Sequence, residues 1–186
     1  RYDRAIALLL PFVAEQPDQV EAVALLAEAY QATDRDADAI ALLERSVEDS
    51  PELYSTLGQA YQDSGRWRDA ATAYQNAVEE RPQSLPLRSQ WATALLNTGE
   101  AQRARDALEA GSAGNSRNSR ALYLLSEAQR RTGDFAAAEV TARRLIALDP
   151  QALGGPRQLA QIFHDQGEHQ KIVTLLEPIV TARLRA

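Results

Sequence analysis

The sequence predicts an all-α fold, a solenoid built from antiparallel helical hairpins. Glycine recurs at a step of 34 residues, at Gly65, Gly99, Gly133 and Gly167. A second series of small residues keeps the same step: Gly58, Ala92, Ser126 and Ala160. Apolar residues on both sides of each glycine are spaced for one face of a helix. A fixed period of this length is typical of repeat proteins, in which each hairpin buries its apolar faces against its neighbours.

The copy from Pro51 to Pro82 shows how each hairpin is built. A first amphipathic segment ends at Gly65, which supplies the turn, and a second segment ends before Pro82. A step of 31 residues extends the register backward, so Asp34-Arg35-Asp36 stands where the turn glycine is expected, with Asp34 or Asp36 as the helix N-cap. Helices are predicted over about 1–16, 20–33, 36–50, 53–64, 67–81, 86–98, 101–110, 119–132, 135–148, 156–166 and 169–184.

The same copy carries a family signature. The residues Tyr54, Leu57, Gly58, Tyr61, Ala70, Tyr74 and Pro82 match the pattern W-x2-L-G-x2-Y…A-x3-F…P. The chain therefore resembles the tetratricopeptide repeat family over essentially its whole length. The resemblance implies a right-handed α-solenoid in a single array over residues 1–186. The array would consist of a leading half-repeat, 1–19, and the repeats 20–50, 51–84, 85–118, 119–152 and 153–186.

Composition bounds the functions that the chain can have. It is 45% hydrophobic and 25% charged, which indicates a folded protein, and its net charge of −6 argues against nucleic-acid binding. Without cysteine it has no disulfides and no thiolate chemistry. No apolar run approaches the ~18–20 residues of a membrane span. We therefore expect a soluble protein. Its basic residues are nineteen arginines and one lysine, which favours a GC-rich bacterial genome and hence a bacterial cytoplasm or periplasm.

Two acidic or histidine-rich segments contain side chains that could bind a metal ion. His164, Asp165, Glu168 and His169 lie within six residues, but they straddle the turn at Gly167, so the two imidazoles belong to different helices. The segment from Asp34 to Asp38 starts like a calcium loop but lacks its glycine and its final carboxylate. The sequence predicts no metal site, no cofactor and no catalytic residue.

The resemblance implies a concave groove lined by the first helix of each hairpin. Carried over by register, the partner-binding positions are Ser55, Gln59, Gln62, Ser89, Thr93, Asn97, Arg120, Tyr123, Glu127, Arg130, Arg157, Gln161 and His164. Charge changes along the chain, because residues 1–80 hold 16 acidic and 6 basic residues whereas residues 81–186 hold 10 and 14. We expect an acidic partner segment at the basic end, with Arg120, Tyr123, Arg130 and Arg157 as its contacts. The alternative is an ordinary solvated helix face.

The sequence thus predicts a non-catalytic protein-interaction scaffold that binds a peptide or partner segment. Two alternatives stay open: an accessory or targeting segment of a larger enzyme, and a self-assembly module. The second depends on the leading helix, which has no first helix to pair with and should expose Leu9, Phe12 and Val13.

Overall fold

In the computed structural model, residues 2–184 form eleven α-helices joined by short turns, and side chains are described for all of them except 115 and 182–184. Arg1 and residues 185–186, which the predicted array includes, lie outside the described residues. The helices are α1 (Tyr2–Glu15), α2 (Val20–Gln31), α3 (Asp36–Ser46), α4 (Tyr54–Asp63), α5 (Trp67–Glu80), α6 (Leu85–Asn97), α7 (Ala101–Ala110), α8 (Ser119–Arg131), α9 (Phe135–Leu148), α10 (Gly154–Asp165) and α11 (His169–Leu184). Two short 3₁₀ turns, Pro51–Leu53 and Ala113–Asn115, precede α4 and α8. The all-α prediction is confirmed.

The turns between paired helices follow the predicted register. Gly65, Gly99, Gly133 and Gly167 all have positive φ, between 72° and 85°, and Asp34 takes the same conformation with φ 58°. At the first of these turns the Arg66 N–H donates to the Tyr61 carbonyl, 2.8 Å, and the Gly65 N–H donates to the Gln62 carbonyl, 3.0 Å. This pattern ends a helix in a left-handed residue and satisfies its last carbonyls.

The helix N-cap predicted at Asp34 or Asp36 is wrong. Asp34 is the left-handed turn residue, and Asp36 is already the first residue of α3. The cap position belongs to Arg35, which makes no side-chain capping bond but pairs with Asp38 at 2.7 Å. The helix also ends at Ser46, four residues before the predicted end.

Close packing inside the hairpin of α4 and α5 depends on Gly58. A Cβ added at Gly58 would lie 2.7 Å from two ring carbons of Tyr74, whose side chain is fully buried. The same register positions hold Ala27 with Leu43 and Ala92 with Leu108, all fully buried. A larger residue on one helix therefore accompanies a smaller residue on the other, as dense interior packing requires.

The described chain divides into two compact units between Thr98 and Gly99. Unit 1 contains α1–α6, in which successive helices pack against each other. Within it, Trp91 packs against Ala77, Val78 and Leu87 and is half-buried. Trp67 is also half-buried and borders a shallow depression at the turn that begins with Gly65.

Unit 2 contains α7–α11, and one of its buried apolar clusters lies where α9, α10 and α11 meet. The buried members are Ala138, Ala142, Leu159, Ile162 and Phe163. The predicted delay of α10 to residue 156 is wrong, because α10 begins at Gly154. Gly155 lies inside that helix, where an added Cβ would meet the Ile146 backbone nitrogen at 2.9 Å. The glycine at position 155 therefore permits close contact between α10 and α9, and it does not delay the start of α10.

Helix α1 exposes apolar side chains, although not all of those predicted. Phe12 is exposed, as predicted, whereas Leu9 is half-buried. Val13 is buried, so the prediction that it would be exposed is wrong. Leu8 is instead the most exposed large apolar residue of this helix.

Candidate functional site

A broad concavity of unit 1 lies on its first helices. It has a volume of about 740 Å³ and is lined by residues of α2, α4 and α6 together with the segment before α6. The lining residues are Glu21, Ala24, Leu25, Glu28, Gln31, Ser55, Thr56, Gln59, Arg81, Ser84, Pro86, Leu87 and Gln90. We call it the unit 1 groove. The helices that line it, α2, α4 and α6, are the first helices of their hairpins.

Two of the predicted binding residues lie in this groove. The Ser55 hydroxyl accepts a hydrogen bond from Arg81 Nη2 at 3.3 Å. The Gln59 amide is held by three neighbours: its Nε2 donates to Asp63 at 2.7 Å, and its Oε1 accepts from Tyr74 at 3.3 Å and from Gln90 at 3.5 Å. Because these groups fix its orientation, Gln59 presents a preorganised amide to the groove.

The other predicted residues of unit 1 lie outside the groove. Ser89 is 3% exposed and its hydroxyl donates to the Leu85 carbonyl at 2.8 Å, so its assignment as a partner contact is wrong. Thr93 and Asn97 bond along the same helix, with Asn97 donating to the Thr93 carbonyl at 2.8 Å. Gln62 is half-buried, and its Oε1 has no hydrogen-bond partner among the described residues.

Sequence reasoning missed several groove residues. Leu25 of α2 is 54% exposed, and Arg81 enters from the segment between α5 and α6. Gln90 lies one helical turn before Thr93, so the neighbouring positions of the same helix face were a usable signal for it. Arg81 had no such signal, since it lies 26 residues from Ser55 and outside any helix.

In unit 2, the remaining predicted residues lie along α8 and α10. Arg120, Tyr123, Glu127 and Arg130 are spaced by 3, 4 and 3 on α8, and Arg157, Gln161 and His164 by 4 and 3 on α10. The two helices approach at Gly154, where an added Cβ would lie 4.0 Å from Tyr123 Cδ2. The structure therefore brings both sets onto neighbouring helices of one unit.

Arg130 is already engaged by carboxylates of its own chain. Its Nη2 lies 2.8 Å from Glu127 Oε1, its Nη1 contacts Asp165 Oδ2 on α10, and Glu127 also binds Arg131 Nε at 2.5 Å. The side chains of Arg130 and Glu127 are largely buried. Arg130, Arg131, Glu127 and Asp165 form a neutral cluster, which we call the Arg130 cluster. The expectation that Arg130 offers an available charge to a partner is therefore wrong.

The protonation of the Arg130 cluster follows from these contacts. Burial acts to raise the pKa of Glu127, but its hydrogen bonds to Arg130 and Arg131 outweigh burial and hold that pKa below its ordinary value. The hydrogen bond to Glu127 in turn raises the pKa of Arg130, against the opposing effect of burial. Both groups are charged at neutral pH, so the cluster joins α8 to α10 as an ion-pair network.

The other two arginines of the predicted set have different surroundings. Arg120 and Arg157 are exposed and have no hydrogen-bond or ion-pair partner among the described residues. Gln161 and His164, on the same helix as Arg157, are also exposed. His164 Nδ1 lies 3.5 Å from Asp165 Oδ1, and its ring meets that of His169 edge to face, with centroids 6.1 Å apart.

The two segments considered as metal sites are otherwise occupied. His164 lies in the last turn of α10 and His169 begins α11. Glu168 pairs with Lys171 at 2.5 Å, and Asp38 pairs with Arg35. Among the described residues, no group of three or more histidine, aspartate or glutamate side chains is arranged to hold a metal ion.

Helices paired through left-handed turns, repeated in one register, define a helical-hairpin repeat protein of the α-solenoid class. The chain belongs to the tetratricopeptide repeat family. One family model with that description matches residues 1–61 and again 61–127, and a second matches residues 120–152. The predicted family is therefore confirmed. A search of curated proteins found no match.

Solved structures of the same fold include three informative neighbours. MamA from residue 41 onward, from Desulfovibrio magneticus RS-1, is 18% identical with a TM-score of 0.78, covering 90% of this chain and 97% of that one. YrrB, described as a TPR protein with an unusual peptide-binding site, is 13% identical with a TM-score of 0.75, covering 91% and 89%. A tetratricopeptide repeat protein from Parabacteroides merdae ATCC 43184 is 13% identical with a TM-score of 0.76, covering 97% and 73%.

At these identities the likeness concerns the fold. Family membership supports a protein-interaction scaffold as the general function. Among residues 2–184, no helix is long and apolar enough to cross a membrane.

Proposed function

We propose that the chain is a non-catalytic scaffold that binds a peptide or an extended partner segment in the unit 1 groove. The observation that carries this proposal is the groove itself, a concavity of about 740 Å³ formed by three consecutive first helices. It combines exposed apolar surface at Leu25 and Pro86 with the fixed amide of Gln59 and the carboxylates of Glu21 and Glu28. Concave surfaces with a few oriented polar groups are typical binding sites.

Photo-cross-linking in the native cell tests this proposal. Leu25 is replaced by a photoreactive phenylalanine derivative, and Val140, which is 69% exposed on the second helix α9, is replaced as the matched control. We expect Leu25 to capture a defined partner protein that Val140 does not capture, with the cross-linked peptide identified by mass spectrometry. Identical products from both positions, or none from Leu25, would contradict binding in the groove.

The proposal extends to a protein or peptide partner for unit 2 that is acidic. Residues 99–186 hold 12 basic and 10 acidic residues, whereas residues 1–98 hold 8 and 16. Opposite charge attracts a partner segment and fixes its orientation more than it adds affinity. The two units therefore favour segments of different charge.

Self-assembly through α1 is a second candidate. Leu8 and Phe12, spaced by four residues on this helix, are 67% and 41% exposed. Such a pair on one helix face can pack against another copy of the chain. Sedimentation velocity of the chain and of the Leu8→Ser/Phe12→Ser variant distinguishes the cases. A monomer at all concentrations before substitution would dispose of this candidate.

A further inference from the structure

We infer that Arg120 and Arg157 bind two carboxylates of an acidic partner segment, while Arg130 only positions their helices. This inference rests on the proposed scaffold function, because it specifies the partner of unit 2. It differs from the sequence-based expectation by removing Arg130 from the contact surface. The argument starts from where the acidic groups of unit 2 are engaged.

Helices α8 and α10 contain two carboxylates, Glu127 and Asp165, and both belong to the Arg130 cluster. The cluster is neutral, since it also contains Arg130 and Arg131. No acidic residue of these two helices is therefore left to balance Arg120 and Arg157. Their uncompensated charges make this face of unit 2 attractive to anionic groups.

Carboxylates of the neighbouring elements are also engaged. Asp134 lies 3.8 Å from Arg105, Glu139 lies 2.7 Å from Arg143, and the Asp149 carboxylate accepts backbone N–H bonds within its own turn. Glu168 pairs with Lys171. Basic partners largely neutralise the charges of Asp134, Glu139 and Glu168. Asp149 keeps its charge, but its hydrogen bonds hold it within its own turn and it forms no ion pair with Arg120 or Arg157 among the described residues.

The geometry of α8 and α10 suggests the spacing of the two carboxylates. The helices run in the same direction, because α9 folds back between them, and Tyr123 meets Gly154 where they approach. The ring of Tyr123 leans toward the N-terminus of α8, so its contact with Gly154 places Gly154 about level with Arg120. Arg157 follows Gly154 by three residues, so the two arginines are offset by about 4.5 Å along the helix axes. With axes ~8–10 Å apart, the separation is about 10 Å. An extended segment spans that distance in about three residues.

Tyr123 supplies an apolar contact between the two arginines. It is half-buried and in reach of Gly154, so its ring is partly available on the same face. Arginine binds a carboxylate through two parallel N–H bonds, and a tyrosine ring adds contact area at a small entropic cost. The expected ligand is therefore an extended peptide with two acidic side chains three residues apart and an apolar residue between them.

Titration of the full chain with defined peptides tests this inference. The probes are nonapeptides on a glycine–serine background with a leucine and two glutamates, which are placed either three residues apart on either side of the leucine or adjacent to each other. A peptide with two glutamines is the uncharged comparison. NMR of the arginine Nε–Hε groups follows binding at both positions. We expect the three-residue spacing to bind most tightly, with affinity falling as salt is added.

Variants separate the contact role from the positioning role. Arg120→Gln and Arg157→Gln should each weaken binding about fivefold, and both together about twentyfold or more. Arg143→Gln removes the same charge from the second helix α9 and should change affinity less than about twofold. The charge-balanced variant Arg130→Gln/Asp165→Asn should also keep binding within about twofold while lowering the thermal stability of unit 2.

Several results would overturn the inference. These are failure of the glutamate peptides to bind the unmodified chain, equal binding of the glutamine peptide, and a loss in Arg130→Gln/Asp165→Asn as large as that in Arg157→Gln. Tighter binding of a single-stranded oligonucleotide of equal charge would replace the acidic peptide by nucleic acid. Each of these can occur while Leu25 still captures a partner in the unit 1 groove, so the proposed scaffold function fails or stands separately.

Discussion

Gly58 and Tyr74 provide a quantitative test of how the hairpins pack. An alanine Cβ at Gly58 would lie 2.7 Å from ring carbons of Tyr74, well below the 3.4 Å at which ordinary contacts begin. The ring is fully buried and cannot rotate into solvent. Overpacking of this kind costs about 1–3 kcal/mol, and the better helix propensity of alanine returns about 1 kcal/mol. We expect Gly58→Ala to destabilise unit 1 by about 1 kcal/mol.

Tyr74→Leu makes the complementary change. It removes the buried phenol and its bond to Gln59, and we expect a loss of about 2 kcal/mol, below the range for truncation of an aromatic residue to alanine. The double variant reproduces the pair that this chain already uses at Ala27 and Leu43. The added methyl then occupies space that the ring vacated. The double variant should therefore lose only about 1 kcal/mol, a coupling of about 2 kcal/mol.

Urea unfolding measures the free energies, and hydrogen exchange of the α4 and α5 amides locates the change in this hairpin. Gly114→Ala is the matched control, since its Cβ would meet only Leu125 Cδ2 at an ordinary 3.5 Å. It should change stability by less than about 0.5 kcal/mol. Additive losses in the two single variants, with coupling below about 0.5 kcal/mol, would refute the steric explanation.

Three further predictions concern single positions. Asp34→Gly should stabilise unit 1 by about 0.5–1 kcal/mol in urea unfolding, because glycine adopts the left-handed conformation without strain; a loss would show that the aspartate side chain contributes more. Gly155→Ala should destabilise unit 2 by about 2 kcal/mol, since the new Cβ meets backbone of Ile146; an unchanged melting temperature would contradict that contact. Burial of the Tyr61 side chain and, second, its 2.6 Å hydrogen bond to Glu44 raise the pKa of Tyr61 to about 12. The stability that the neutral phenol contributes is therefore complete below about pH 10 and is lost as pH rises through about 12. In ultraviolet titration Glu44→Gln should lower this pKa while burial keeps it above 10, and an unchanged value would exclude the carboxylate as a cause.

The internal period predicted much of the local structure correctly. The turns fell at the expected glycines, and Asp34 took the left-handed conformation where the register placed a glycine. These features could be predicted because a helix end depends on residues a few positions apart, and each was repeated in one register. Some helix boundaries were predicted wrongly: α10 was predicted from residue 156 but begins at Gly154, and its Gly155 packs closely against Ile146 of α9.

The candidate sites required the tertiary structure. The register placed Ser55 and Gln59 correctly on the first helices, but it also selected Ser89, which is buried, and it could not find Arg81. Membership of a helix face follows from spacing, whereas burial depends on which neighbours the helix meets. Sequence spacing alone therefore overestimates the number of residues that a partner can reach.

Arg130 shows the same limit for charge. From the sequence by itself it was one of several arginines at groove positions in a basic half of the chain. In the structure it contacts Asp165, which lies 35 residues away on the next first helix, together with Glu127 on its own helix. The sequence determined the repeat, its turns and the faces of its helices, because these depend on local spacing. Only the tertiary structure decided which charges are neutralised within the chain and which are not, because ion pairing depends on distances between separate helices.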